Sequence, residues 1–178
     1  MKTHPDPTDD GRLAAAARAG SLDALAELYR RHADAVHAVA YRLTGSAADA
    51  SDVLQDVFVG LPRALERYRE QGSFAAWLKQ VAARVSLMRL RAERRRGERP
   101  LDETQEAGNM AAPDLPVEWQ EMRRALAALP DAYRAVFVLK EIEGYTHAEI
   151  AGMLGISSGA AATRLSRAWT VLRRELKP

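Results

Sequence analysis

The chain has 178 residues, 47% of them apolar, no cysteine and a formal net charge of +2. Without cysteine there are no disulfides, thiolate zinc sites or cysteine nucleophiles. No apolar run reaches the ~18 residues of a membrane span, and the polar start "MKTHPDPTDD" lacks the apolar stretch of a secretion signal, so a cytoplasmic protein with no membrane insertion is expected. The length suits one medium domain or two small ones.

Residues 1–10 are expected to be disordered. Ser21 is a candidate N-cap for a helix running to about Thr44, where Gly45 stops it. Next comes "SAADASDVLQDVFVGLPRALERY", whose Leu54, Val57, Phe58, Leu61 and Leu65 fall at helical spacing on a core face. Pro62 lies inside that pattern and predicts a kink or break near Leu61. After the turn "EQGS", Ser73 caps a third long helix from Phe74 to about Arg96. Residues 97–116 carry three prolines and two glycines and read as a linker between two domains. Helices resume at about Val117, and "LPDAYRAVFVLKEIEG" gives another, closed by Gly144. Strand-like alternation of useful length is absent throughout.

Charge is segregated along this chain. Six arginines stand between Arg89 and Arg99, six acids and no Lys or Arg between Pro100 and Glu121, and five cations between Thr163 and Pro178. Basic blocks suit phosphate, although solvated helix faces look the same in a sequence. On composition the acidic segment reads as a polar tether.

The stretch "THAEIAGMLGISSGAAATRLSRAW" is the most specific. Thr146 and Glu149 form a capping box. Gly155 ends that two-turn helix in a left-handed residue, Ile156 plugs the angle, and Ser157 caps the next helix, while Ala151 is small enough for close approach. Those features at those offsets describe a helix-turn-helix. On its second helix Ala161, Leu165, Ala168, Trp169 and Leu172 share one face and are expected to be buried. The N-terminal part of such a helix enters the major groove, so Ser158, Thr163, Arg164, Ser166 and Arg167 are the candidate DNA contacts.

The segment from Ala125 to Leu176 resembles region 4 of bacterial extracytoplasmic-function sigma factors, and "ASDVLQDVFVGLPRAL…SFAAWLKQVAARVSLMRLRAERRR" resembles their region 2. With the preceding helix the likeness covers about 150 of the 178 residues. It implies an all-α protein of two small helical domains joined by a flexible linker, a region 2 bundle over residues 11–96 and a region 4 helix-turn-helix over 117–178. The family directs core RNA polymerase to promoters and has no catalytic chemistry or cofactor of its own. The resemblance implies that Asp52, Gln55 and Asp56 meet the β′ clamp, that region 4 meets the β flap and the −35 element, and that an anti-sigma factor covers these faces. For the −10 element it implies the helix that starts at "SFAAWL". Phe74 and Trp77 are candidates for the wall of a base pocket, with core packing as the competing job, and Arg84, Met88, Arg89 and Arg91 follow on the same helix. Where the family often has tryptophan, asparagine and aspartate, this chain has Pro62, Arg84 and Met88. A basic residue is common where Ala162 stands.

Two other classes compete. A conventional helix-turn-helix regulator would bind duplex DNA without polymerase, but would lack the "DVLQDVF" to "SFAAWL" block. An enzyme would need a site, yet His4, His32, His37 and His147 are scattered and no nucleophile motif or glycine-rich phosphate loop is present. The chain ends two residues after Leu176, so control by an appended C-terminal domain is not expected.

Overall fold

The computed structural model describes residues 7–69, 72–97 and 117–176. Among these residues the regular structure is helical throughout. The helices are α1 (Pro7–Arg18), α2 (Leu22–Thr44), α3 (Ala47–Leu65), α4 (Phe74–Arg96), α5 (Val117–Ala127), α6 (Asp131–Phe137), α7 (His147–Leu154) and α8 (Ser158–Glu175). A π-helical turn, Val138–Ile142, extends α6. The chain divides into two compact units, residues 1–40 with 48–86, and residues 41–47 with 87–178. Residues 98–116, which hold nearly all of the expected linker, lie outside the described residues.

Of the ten N-terminal residues expected to be disordered, residues 1–6 lie outside the described residues, and residues 7–10 belong to a helix. Helix α1 begins at Pro7, where a missing N–H costs nothing and φ is preset. Asp9 and Asp10 then occupy the helix's first turn, the end that favours negative charge. Sequence periodicity gave no hint of the tertiary partner. Asp10 is buried, its Oδ2 3.0 Å from His32 Nε2, and Arg31 reaches Asp10 Oδ1 at 3.2 Å and Asp9 Oδ2 at 2.6 Å. Glu27 adds a third acceptor for Arg31, 2.7 Å from its Nε. Its carboxylate, then that of Asp9, holds the Arg31 guanidinium above its ordinary range.

Ser21 caps α2 as its sequence suggests, accepting a hydrogen bond from the Ala24 N–H at 3.2 Å. Leu28, Val36 and Val39 of α2, Val53, Val57, Leu61 and Leu65 of α3, and Phe74 and Leu78 of α4 form the buried core. Helix α3 runs through Pro62 without a break. Only three residues of the helix follow Pro62, so the hydrogen bond the ring removes belongs to the last turn. The core phase also differs by one position from the expected set. Val53 is fully buried, and Leu54 is half-exposed.

In the second unit α6 and α7 pack on α8. Ala125, Leu126, Leu129, Phe137, Ala168 and Leu172 make the apolar cluster, with Met122, Tyr133, Leu165 and Val171 against it. Arg134 is a buried cation there, 2% exposed, and it is satisfied by the carbonyls of Leu43, Thr44 and Leu129 and by Asp131 Oδ1. Such a guanidinium is tolerated because each of its three nitrogens finds an acceptor.

Candidate nucleic-acid and polymerase-binding surfaces

The helix-turn-helix is assembled by local hydrogen bonds. The Thr146 N–H donates to Glu149 Oε2 at 2.8 Å, the Thr146 hydroxyl donates to the same oxygen at 2.7 Å, and the Glu149 N–H returns to Thr146 Oγ1 at 3.3 Å. The Thr146 backbone N–H, then its hydroxyl, holds the Glu149 carboxyl below the usual range. Gly155 ends α7 at φ 66°, ψ 40°, the left-handed region. There the Ile156 N–H reaches back to the Ala151 carbonyl at 3.1 Å. Ser157 then caps α8, accepting from the Ala160 N–H at 3.1 Å. Each of these roles is the one its residue type and spacing predict.

On α8, Ala161, Ala168 and Leu172 are buried as expected. Trp169 is not. It is 39% exposed, standing edge-on to Phe137 at a centroid distance of 5.1 Å. At about 100° per residue it stands one step round the helix from buried Ala168, which puts it at the border of the apolar face. Thr163, Ser166 and Arg167 are exposed on the opposite face, Ser158 is exposed in the first turn, and Arg164 is half-buried at the edge. The Thr163 hydroxyl donates to the Gly159 carbonyl at 2.9 Å, so in this rotamer it presents lone pairs and a methyl outward. Arg167 Nη1 donates to the hydroxyl of Tyr133 on α6 at 3.2 Å.

Helix α4 sorts its candidates into two groups. Phe74 is 2% exposed, with His32 5.3 Å, Tyr68 5.5 Å and Trp77 5.5 Å away between ring centroids. It is therefore a core residue, and it cannot itself form a base-pocket wall. Trp77 rests on Tyr68 at 4.8 Å and stays half-exposed. Seven residues on comes Arg84, then Met88 at 65% exposure and Arg91, all close to one helical stripe. Arg91 also donates to the Met153 carbonyl. Arg89 lies away from this stripe, half-buried, with its Nε 3.0 Å from Glu93 Oε1. Arg95, exposed one turn beyond Arg91, continues the stripe. The i, i+4 spacing from Arg91 is the signal that would have found it.

The third surface was only half-visible in the sequence. Between α2 and α3 of the first unit lies an open groove of about 710 Å³ lined by Leu22, Leu25, Tyr29, Leu54, Phe58 and Val59 among others. Leu22 is 78% and Val59 76% exposed, and Tyr29 stands edge-on to Phe58 at 4.8 Å. Of the polar candidates, Gln55 lines the apolar groove, while Asp52 and Asp56 are exposed elsewhere on α3. Contiguous exposed apolar surface of this kind marks protein interaction sites.

Comparison with known proteins places both units in one family. Residues 28–96 match the family described as Sigma-70 region 2, and residues 119–170 match Sigma-70, region 4. The ECF RNA polymerase sigma factor SigM of Mycobacterium tuberculosis is 32% identical over 168 residues, covering 94% of this chain and 84% of the relative. The chain belongs to the ECF family of RNA polymerase sigma factors. A second relative, the RNA polymerase sigma factor CarQ of Myxococcus xanthus, is 34% identical over 161 residues, covering 89% of this chain and 92% of that protein. Among solved structures, CnrH in complex with the cytosolic domain of CnrY is 30% identical, with a TM-score of 0.57 and coverage of 94% and 96%. A sigma factor is a transcription initiation factor, not an enzyme. Among the described residues no helix is long and apolar enough to cross a membrane.

Proposed function

We propose that this sigma factor docks on core RNA polymerase through the α2–α3 groove and reads promoters with α4 and α8. The groove supplies the apolar area, through Leu22, Tyr29 and Val59, with Gln55 at its edge, and the exposed Asp52 and Asp56 of the same helix add polar contacts to the β′ clamp. An apolar centre with a polar rim is the usual anatomy of a specific protein interface. On α8, Thr163 and Ser166 offer base-edge contacts in the −35 element, Arg167 and Arg164 offer cations to phosphate or guanine, and Ser158 meets the backbone at the first turn. On α4, Trp77, Arg84, Met88 and Arg91 face the −10 element, and Arg95 extends the same cationic stripe.

The single observation that carries this reading is the coexistence of a duplex-reading helix-turn-helix with a large unpartnered apolar groove on separate units. A helix-turn-helix regulator that works alone needs only the first. A regulatory protein, an anti-sigma factor acting in the cytoplasm, is a further partner. The capture of CnrH with the cytosolic domain of CnrY supports a protein partner of that kind. The test is co-elution of the folded protein with core RNA polymerase of its host, followed by promoter-specific initiation. A protein that binds promoter duplex alone and ignores core enzyme would overturn the reading.

A further inference from the structure

Thr163 stands exposed in the second turn of α8, on the face turned away from the apolar cluster. A threonine hydroxyl has a single proton to donate. Here that proton goes to the Gly159 carbonyl one turn back, at 2.9 Å. It is therefore not offered to the acceptors of a base edge in the major groove, guanine N7 and O6 or thymine O4. What the side chain turns outward is its methyl group, beside lone pairs that can only accept. The space next to that methyl is clear. Helical side chains lean toward the helix N-terminus, so Thr163 leans over Gly159, and a Cβ built on Gly159 meets nothing within 4 Å.

We propose that Thr163 sets base preference in the −35 element by packing its methyl group on the C5 methyl of a thymine. The inference rests on the reading of α8 as the −35 reader, and it names the chemistry recognised at one position. The C5 methyl is the apolar mark that distinguishes thymine from the other three bases in the major groove. Burying a hydroxyl beside it would ordinarily leave a donor without a partner, which costs more than one methyl contact returns. The bond to Gly159 lies within α8 and survives docking, so Thr163 can lose its water with its donor satisfied.

The experiment measures the affinity of the reconstituted holoenzyme for its mapped promoter, with each thymine of the −35 element, on either strand, replaced in turn by uracil. Uracil pairs as thymine does and lacks only the methyl. With the unsubstituted protein one such replacement should weaken binding about 2- to 5-fold, the scale of one buried methyl group. Thr163→Ser keeps the hydroxyl and deletes the methyl. It should weaken binding to the thymine promoter by the same factor and be indifferent to that uracil, as groups in direct contact are not additive. Thr163→Val keeps the outward methyl and deletes the hydroxyl, and it should match the unsubstituted protein in affinity and in uracil sensitivity. All three proteins should melt alike, because Thr163 is exposed. A −35 element that tolerates every uracil, or a uracil effect undiminished in Thr163→Ser, overturns the proposal. So does full affinity of Thr163→Ser with a loss in Thr163→Val, which assigns the hydroxyl to an adenine or cytosine amino group instead. These results spare α8 as the reader when scrambling the −35 element still weakens binding. A holoenzyme indifferent to that scrambling overturns both.

Discussion

Replacing Gly155 tests whether the angle between α7 and α8 is set by backbone conformation. A Cβ built on this residue meets nothing within 4 Å, so substitution causes no clash. What remains is the left-handed conformation, φ 66° and ψ 40°, which costs an ordinary L-residue about 1–2 kcal/mol. Gly155→Ala should therefore lower stability by about that amount, and Gly155→Val by more, because a β-branched side chain tolerates positive φ least. Gly155→Asn should retain most of the stability, since asparagine's short polar side chain suits the left-handed region. For a unit of this size each kcal/mol moves the melting midpoint by roughly 4–8 °C. Thermal unfolding followed by circular dichroism should rank the variants Gly, Asn, Ala, Val, from most to least stable. Gly155→Ala without a shift, or Asn no better than Val, would refute the idea that conformational strain alone makes glycine necessary here.

Other outcomes follow from the same geometry. Val59→Asp puts a charge on the apolar floor of the α2–α3 groove and should weaken core-polymerase co-elution about tenfold or more, the scale of an interface hot spot, with melting unchanged because Val59 is 76% exposed. Asp10→Ala leaves buried His32 without its 3.0 Å partner and should destabilise the first unit by about 1–3 kcal/mol in a denaturant titration. The Glu149 carboxyl is held below its ordinary range, so the capping box adds stability that is fully present above the unfolded-state value and is lost as pH falls through the folded one. Glu149→Gln keeps a capping acceptor and should flatten that acid-side component in pH-dependent melting. Replacing Arg164 and Arg167 together with alanine should lower the salt slope of promoter binding by about two units if each reaches a phosphate.

What was legible in the sequence was mostly local. The Thr146–Glu149 box, Gly155, Ser157 and Ser21 each act through bonds to residues a few positions away, and their types and spacing state those bonds directly. Helical periodicity likewise separated the exposed face of α8 from its buried one. Tertiary context decided the rest. Asp10 reads as part of a polar tail until His32 and Arg31, more than twenty residues later, are brought to it. Phe74 reads as an aromatic at a DNA-facing helix start until His32, Tyr68 and Trp77 enclose it. Trp169 reads as part of the apolar face, yet it stands at that face's border, one step round the helix from Ala168, and is 39% exposed. The groove joins Leu22 and Tyr29 of α2 to Val59 of α3, and no pattern within one helix announces a surface shared by two.

The most direct measurement is transcription from a genomic DNA library by purified core RNA polymerase with and without this protein, with start sites sequenced. Discrete start sites that appear only with the protein and share elements near −35 and −10 are the predicted result, and they should vanish with Val59→Asp. Start sites identical to those of core enzyme alone, from folded protein that binds promoter duplex by itself, would contradict it.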